Sequence, residues 1–308
     1  MNWRKLKVAQ KYALIQSHAL MLFCSISFFV SVPHAFAASW TVRTLPAKLV
    51  NGSPVLFRVK PPRRVESLTG SWLGHDTSFT YDAASKTWFA LAGVGFETAP
   101  GVYSLALTAA RTGAGAEHLT FSRKFTVGAG KYPKIKAELS VEHKFTEPTP
   151  QQQKEIAEGQ EVKKDFLNRV TPGKEWSGSF TPAADAAVSD VFGSERIFNG
   201  KTSSPHLGED FRVPSGTPVH AMNDGTVLLA RPLYFEGNFV VLDHGQGFLT
   251  LYLHLSEFKV KEGERVKRGQ VVGLSGGTGR ATGPHLHVAV RWQGMYLDPA
   301  RLTQLSLP

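Results

Sequence analysis

Four histidines and an aspartate in the last third of the chain have the types and spacing for metal chemistry. The run Pro205-His206-Leu207-Gly208-Glu209-Asp210 carries an imidazole and a carboxylate four positions apart, and Gly208 lets the backbone bend so that both aim at one point. In Gly283-Pro284-His285-Leu286-His287 the residues that follow, Val288-Ala289-Val290-Arg291-Trp292, read as a strand. His285 and His287 therefore leave one face and Leu286 the other. A third place is Leu249 to Leu255, where the leucines take one face and Thr250, Tyr252 and His254 the other, as if lining a cleft. Singly, each place also reads as ordinary solvated or packed histidine. Together they supply two histidines and one aspartate to a Zn²⁺ ion, with a fourth position left for water as in catalytic zinc sites. Two histidines remain to move protons. Spacing does not decide which histidines ligate.

Cys24 is the one cysteine, so metal chemistry must use histidine and carboxylate. It sits in a stretch that reads as a secretory leader: a basic start from Met1 to Lys11, an apolar segment from Ala19 to Val32, then the small-x-small signal Ala35-Phe36-Ala37. The apolar segment is shorter than the ~20 residues of a membrane span. An uncleaved anchor is the alternative. The reading is therefore an exported protein, in the periplasm or otherwise outside the cell, with no stable membrane insertion after cleavage. Removing residues 1–37 takes away Arg4, Lys5, Lys7 and Lys11, and the formal charge drops from +10 to +6. A moderate positive excess suits an anionic partner such as cell wall, and equally a plain solvated surface.

The elements that must position these residues read as β structure. An apolar fraction of 42 %, charged residues at 19 %, Gly 29 and Pro 18 favour turn-rich sheets over charged helical bundles. After the leader (1–37), short alternating runs separated by turn signals such as Asn51-Gly52 and Pro100-Gly101 predict an N-terminal β-sandwich over 38–130. His75 and Asp76 within it read as loop residues. Residues 131–175 form a linker with a helical segment, rich in helix formers from Gln151 to Asp165 and ended by Pro172-Gly173. A glycine-dense β-rich domain follows over 176–308. The fold class is all-β.

The stretches Val191-Phe192-Gly193, His206-x-x-x-Asp210-Phe211, Pro214-x-Gly216-Thr217-Pro218-Val219, Asp224-Gly225, Asp243-His244-Gly245, Tyr252-x-His254-Leu255, Gly269-Gln270 and Thr282-Gly283-Pro284-His285-Leu286-His287 resemble, in order and spacing, the lysostaphin-type (LytM-like) zinc peptidases that cut peptidoglycan peptides. The resemblance covers residues 190 to 300, and the upstream segments are similar to the N-terminal module of one exported branch. It implies that His206, Asp210 and His287 hold one zinc per chain, that His254 and His285 are the two catalytic histidines, and that the partner is the stem or cross-link peptide of peptidoglycan. It also implies an active zinc metalloendopeptidase, because all five positions are filled. The alternative keeps the fold but makes the protein a cell-wall-binding adaptor or activator of other wall hydrolases, silent or autoinhibited, with residues 148–175 over the cleft. Asn199 is a further residue expected to face the cleft; His220 and His244 read as packed or turn residues.

Two look-alikes fall away. Gly273-Leu274-Ser275-Gly276-Gly277 matches Gly-x-Ser-x-Gly, but no helix signal follows and no histidine comes after His287 to complete a triad. The basic run Lys259, Lys261, Arg265, Lys267 and Arg268 reads as the solvated face of a hairpin; nucleic-acid binding would want exposed aromatics interleaved with it.

Overall fold

In the N-terminal part the two-residue alternation of the sequence becomes sheet. Along the strand Gly101–Arg111, Leu105, Leu107 and Ala109 are buried while Ser104, Ala106 and Thr108 are exposed, as one apolar face demands. The computed structural model describes residues 39–111, 117–133 and 136–308. The leader expected over 1–37, with Cys24, lies outside them. A five-stranded sheet runs in the order Leu49–Val50, Glu117–Gly128, Gly101–Arg111, Ser67–Trp72, His75–Ser78. A four-stranded antiparallel sheet runs Thr41–Leu45, Pro54–Lys60, Thr87–Gly93, Thr80–Asp82. Aromatic rings join them: Phe57 of the second sheet meets Trp72 and Phe125 of the first at 5.2 and 5.7 Å between centroids. The Trp72 indole N–H is satisfied by the Gly93 carbonyl at 2.9 Å. His75, expected in a loop, lies in a strand with its ring 5.5 Å from Trp292 of the C-terminal part. Phe89 meets Trp176 at 5.9 Å in the same way. Residues Ala38–Pro308 accordingly form one compact unit with a continuous apolar core from Val42 to Leu307.

Between these parts, Thr149 caps the helix Pro150–Leu167: its hydroxyl accepts from the Gln152 N–H while the Gln152 side chain accepts from the Thr149 N–H. Leu167, at the helix end, is buried against Leu229, Phe239, Leu249, Leu251 and Ala289. Upstream of the helix, Lys136–Leu139 adds a parallel strand to Glu195–Phe198, which pairs in turn with Thr202–Pro205. The segment read as a linker thus supplies a strand as well as a helix. Among the described residues no helix is long and apolar enough to cross a membrane.

The C-terminal part is built on an eight-stranded sheet in the order Val188–Asp190, Glu209–Phe211, Leu286–Trp292, Phe248–Leu255, Gly237–Asp243, Gly225–Leu233, Arg265–Val266, with Met295–Leu297 beside Leu286–Trp292. Its central strands are covered on both faces. In Leu286–Trp292, the residues Leu286, Val288, Val290 and Trp292 enter the main core, and Ala289 on the opposite face enters the cluster under the helix. His287 shares the Ala289 face. With two α-helices, Pro150–Leu167 and Pro299–Thr303, among the described residues, the fold is all-β as expected.

Candidate metal centre

Register brings the first two site residues together. Glu209–Phe211 pairs antiparallel with Leu286–Trp292, and Asp210 stands opposite His287, so their side chains leave the same face. His206 reaches them from the loop after Thr202–Pro205. That loop must pass close over His287, and a Cβ at Gly208 would come within 2.5 Å of both the His287 Nε2 and the Val288 carbonyl oxygen. Gly208 is required for this approach. The result is a triangle of potential ligand atoms: His206 Nε2 to Asp210 Oδ1 is 3.2 Å, His206 Nε2 to His287 Nδ1 is 3.0 Å, and His287 Nδ1 to Asp210 Oδ1 is 2.8 Å. Two ligands on a tetrahedral zinc at ~2.0–2.1 Å stand about 3.3 Å apart, so this spacing needs only a few tenths of an ångström of opening. All three residues are buried, with exposures of 2, 7 and 9 %.

The outer sides of His206 and Asp210 are already engaged, which aims their remaining lone pairs inward. The His206 Nδ1–H donates to the Val191 carbonyl at 3.0 Å, leaving Nε2 as an acceptor. Arg196 holds the Asp210 Oδ2, leaving Oδ1 for the cluster. Two imidazole nitrogens and one carboxylate oxygen, convergent and buried, suit zinc or a similar borderline divalent ion. The donor set fits a metal.

Arg196 and Asp190 were not found from the sequence. Asp190 lies opposite Asp210 across the strand pair, a like-charge juxtaposition that would be unfavourable alone. The Arg196 guanidinium bridges the two carboxylates, with Nε and one Nη at 2.9 and 2.7 Å from Asp190 Oδ2. No local pattern marks this, because the pairing depends on strand register.

His254 and His285 stand beside the triangle. Their rings are 4.8 Å apart, and the His254 ring is 6.1 Å from that of His287. The His254 Nδ1 lies 2.8 Å from the Thr278 carbonyl and the His285 Nδ1 2.8 Å from the Gly283 carbonyl. Each Nδ1 is therefore the protonated nitrogen, and each Nε2 is left as an acceptor, that of His285 lying 3.9 Å from Asp210 Oδ2.

How His254 gets there corrects the alternation expected for its strand. Leu253 is the cross-strand partner of His287, so strict alternation would turn His254 to the opposite face, with Thr250 and Tyr252. Instead the pairing with Gly237–Asp243 slips by one residue between Tyr252 and Leu255, and His254 takes φ +62°. This bulge carries His254 to the His287 side. Histidine is among the residues that enter the left-handed region more readily. Thr250 and Tyr252 do not line the cleft: both are fully buried in the core. There the Met222 N–H donates to the Tyr252 hydroxyl, which bonds Thr250, which bonds His244 Nε2, at 2.9, 2.9 and 2.8 Å; the His244 Nδ1–H donates to the Asp224 carbonyl at 2.7 Å.

Asn199 also departs from expectation. Its carboxamide bonds the Val141 N–H and carbonyl at 2.9 and 3.0 Å and the Thr146 hydroxyl at 3.2 Å, pinning the upstream segment rather than facing the cleft. Ser275 is fully buried and donates to the Pro214 carbonyl at 2.6 Å, a packing role. His220 ends a short strand with Nδ1 2.9 Å from the Gly269 carbonyl.

Burial and hydrogen bonding set the charges. Burial alone would raise Asp210, but the close imidazoles of His206 and His287 outweigh it and hold the carboxyl well below its usual range, as an anion. Burial lowers His287 to about 4 against the opposing pull of Asp210. Burial, then the neighbouring His285 and His287, lowers His254 to about 3. At neutral pH these imidazoles are uncharged, as metal ligation and proton acceptance both require. Glu209, on the strand's other face, is pushed up to about 7 by burial, then by Asp298 and Asp210.

Two cavities flank the cluster. One of about 130 Å³ is bounded by His206, His254, His287, Phe235 and Arg280. The other, about 420 Å³, is bounded by Asp210, His285, Arg212, Arg280 and the strand residues Ala137 and Leu139. Residues 148–175 line neither.

Residues 204–299 match the model of Peptidase family M23. The chain is 54 % identical over 108 residues to the peptidoglycan DD-endopeptidase ShyA of Vibrio cholerae, a match covering 35 % of this chain and 24 % of that protein. It is 38 % identical over 141 residues to ShyC of the same organism, likewise named a peptidoglycan DD-endopeptidase, covering 46 % of this chain and 30 % of that one. The chain thus spans less than a third of the length of either relative. A crystal structure of a putative peptidase M23 from Pseudomonas aeruginosa superimposes with TM-score 0.65 at 30 % identity, over 83 % of this chain and 95 % of that one. A likeness that runs through nearly the whole of that peptidase, and not only the residues around the metal cluster, places the chain in peptidase family M23.

Proposed function

We propose that the protein is an exported zinc metalloendopeptidase that hydrolyses peptide bonds in the stem peptides or cross-links of peptidoglycan. The observation that carries this reading is the convergence of His206 Nε2, Asp210 Oδ1 and His287 Nδ1 within 3.2 Å of one another, with His254 and His285 beside them. In it, His206, Asp210 and His287 hold one zinc per chain. A bound zinc polarises a carbonyl and makes water acidic enough to attack near neutral pH. The peptidoglycan substrate is taken from the printed activities of ShyA and ShyC.

The chain's own residues supply the rest. His254 and His285, each with Nδ1–H tied to a backbone carbonyl, present Nε2 as proton acceptors toward the groove. One takes the proton of the attacking water and returns it to the leaving amine. The other, protonated at Nε2 from solvent, donates to the oxygen on which negative charge develops. Burial keeps His254 neutral before reaction, so it is ready to accept. The cavities of about 130 and 420 Å³ give the chain on each side of the scissile bond a place to lie.

The test is zinc content together with release of un-cross-linked muropeptides from purified peptidoglycan, run beside His254→Ala. About one zinc per chain, with release by the unmutated protein alone, is expected. Zinc without release from either protein favours the adaptor role, and absence of zinc removes the ligand assignment.

A further inference from the structure

Arg280 is used by none of the chemistry above, yet it stands at the junction of the two cavities and lines both. Its guanidinium carbon is 4.2 Å from the ring centre of Phe198 and 4.8 Å from that of Phe235. Its backbone N–H donates to the Phe235 carbonyl at 2.9 Å. Two aromatic rings at cation–π distance and a fixed backbone preorganise a planar guanidinium. Among the described residues this guanidinium makes no hydrogen bond and no ion pair. Glu236, the acid whose charge reaches it, is taken by Lys163 at 2.5 Å. Arg196 nearby is committed to Asp190 and Asp210. Arg212, exposed on the wall of the larger cavity, adds a second positive charge to it.

A partly buried cation without an acceptor costs desolvation free energy that only an incoming anion recovers. In a peptide groove the planar anion available is a carboxylate, which a guanidinium grips with two parallel hydrogen bonds. Resting on the endopeptidase reading of this site, we propose that Arg280 is a specificity-determining residue that receives a free carboxylate of the substrate on a residue flanking the scissile bond. The remaining peptide lies along the larger cavity, past Ala137 and Leu139.

The experiment uses the zinc-loaded full chain and two muropeptide dimers, one with the carboxylate beside the scissile bond free and the other with it as carboxamide. Both kcat/KM and calorimetric affinity are read for the wild type, Arg280→Gln and Arg280→Lys. The wild type should favour the free acid by about 10- to 100-fold, the range of a charge-assisted hydrogen-bonded pair. Arg280→Gln should lose that preference, its rate on the free acid falling by far more than its rate on the amide; Arg280→Lys should keep part of it. A wild type indifferent to amidation overturns the proposal without needing any variant to fold. So does an equal loss on both peptides in Arg280→Gln, which assigns the arginine a packing role. Preferential binding of the free acid without cleavage keeps the carboxylate site and removes the endopeptidase reading. Equal binding and cleavage of both peptides does the reverse.

Discussion

Two buried histidine networks sit on opposite faces of the same sheet. His244, Thr250, Tyr252 and Met222 form a chain in which each donor meets one acceptor, closed at the Asp224 carbonyl. His206, Asp210 and His287 instead point two ring nitrogens and a carboxylate oxygen at one another. Burial lowers His244 and His287 alike, each to about 4, so neither burial nor titration separates them. Hydrogen-bond accounting does. The first network is complete in itself and stabilises the fold, whereas the second gathers the ligand atoms to which the proposed zinc is assigned.

The comparison breaks most sharply if the metal cluster proves dispensable. His287→Ala should reduce bound zinc to well below one per chain and lower activity by about 10³-fold or more, read by metal analysis and peptidoglycan hydrolysis. Full zinc with full activity in this variant would falsify the assignment. Next, His254→Ala and His285→Ala should keep zinc and lose activity by about 10²- to 10⁴-fold, the range for a general acid–base group; metal loss in either would move it into the ligand set. On the other face, His244→Ala should keep zinc and cost about 2–4 kcal/mol in urea unfolding, from the cavity and the hydrogen bonds lost by Thr250 and the Asp224 carbonyl. Tyr252→Phe should cost about 1–2 kcal/mol by orphaning the Met222 N–H, with activity per folded molecule unchanged. Weaker binding of zinc in these last two would mean that the networks are coupled.

The buried imidazoles also make stability depend on pH. His244, His254 and His287 have folded values of about 4, 3 and 4 against 6.5 in the unfolded chain. Between those limits the unfolded state binds more protons, so metal-free protein should lose stability as pH falls from about 6.5 toward 4. Glu209, raised to about 7, works in the opposite sense and offsets one of the three. A urea midpoint unchanged between pH 7 and 5 would remove the argument that these rings are buried neutral.

Much of the site was legible because its geometry is local. His285 and His287 share a face by the two-residue strand period, and Gly208 lets the chain bend so that His206 and Asp210 aim at one point; that it also passes close over His287 only the structure shows. The N-terminal strands were legible for the same reason, as in Leu105, Leu107 and Ala109. The helix was legible from its formers and their Pro172-Gly173 stop, while its Thr149–Gln152 capping box fixes where it starts. Misread residues were those placed by pairing at a distance: His75 against Trp292, Asn199 against Val141, and the Thr250–Tyr252 face turned into the core.

The sequence by itself determined which residues were available for chemistry, the all-β class, and the strand face that carries His285 and His287. The tertiary structure decided what no local period encodes. Register set Asp210 opposite His287 and Asp190 opposite Asp210, with Arg196 between the acids. A one-residue slip in pairing moved His254 to the metal side and left Tyr252 behind in the core. Packing of Phe198 and Phe235 around Arg280 joined three points of the chain that no sequence spacing relates. Alternation fixes a face only relative to its own strand, and the choice of neighbour and register, made by the burial of the whole sheet, fixes what that face meets.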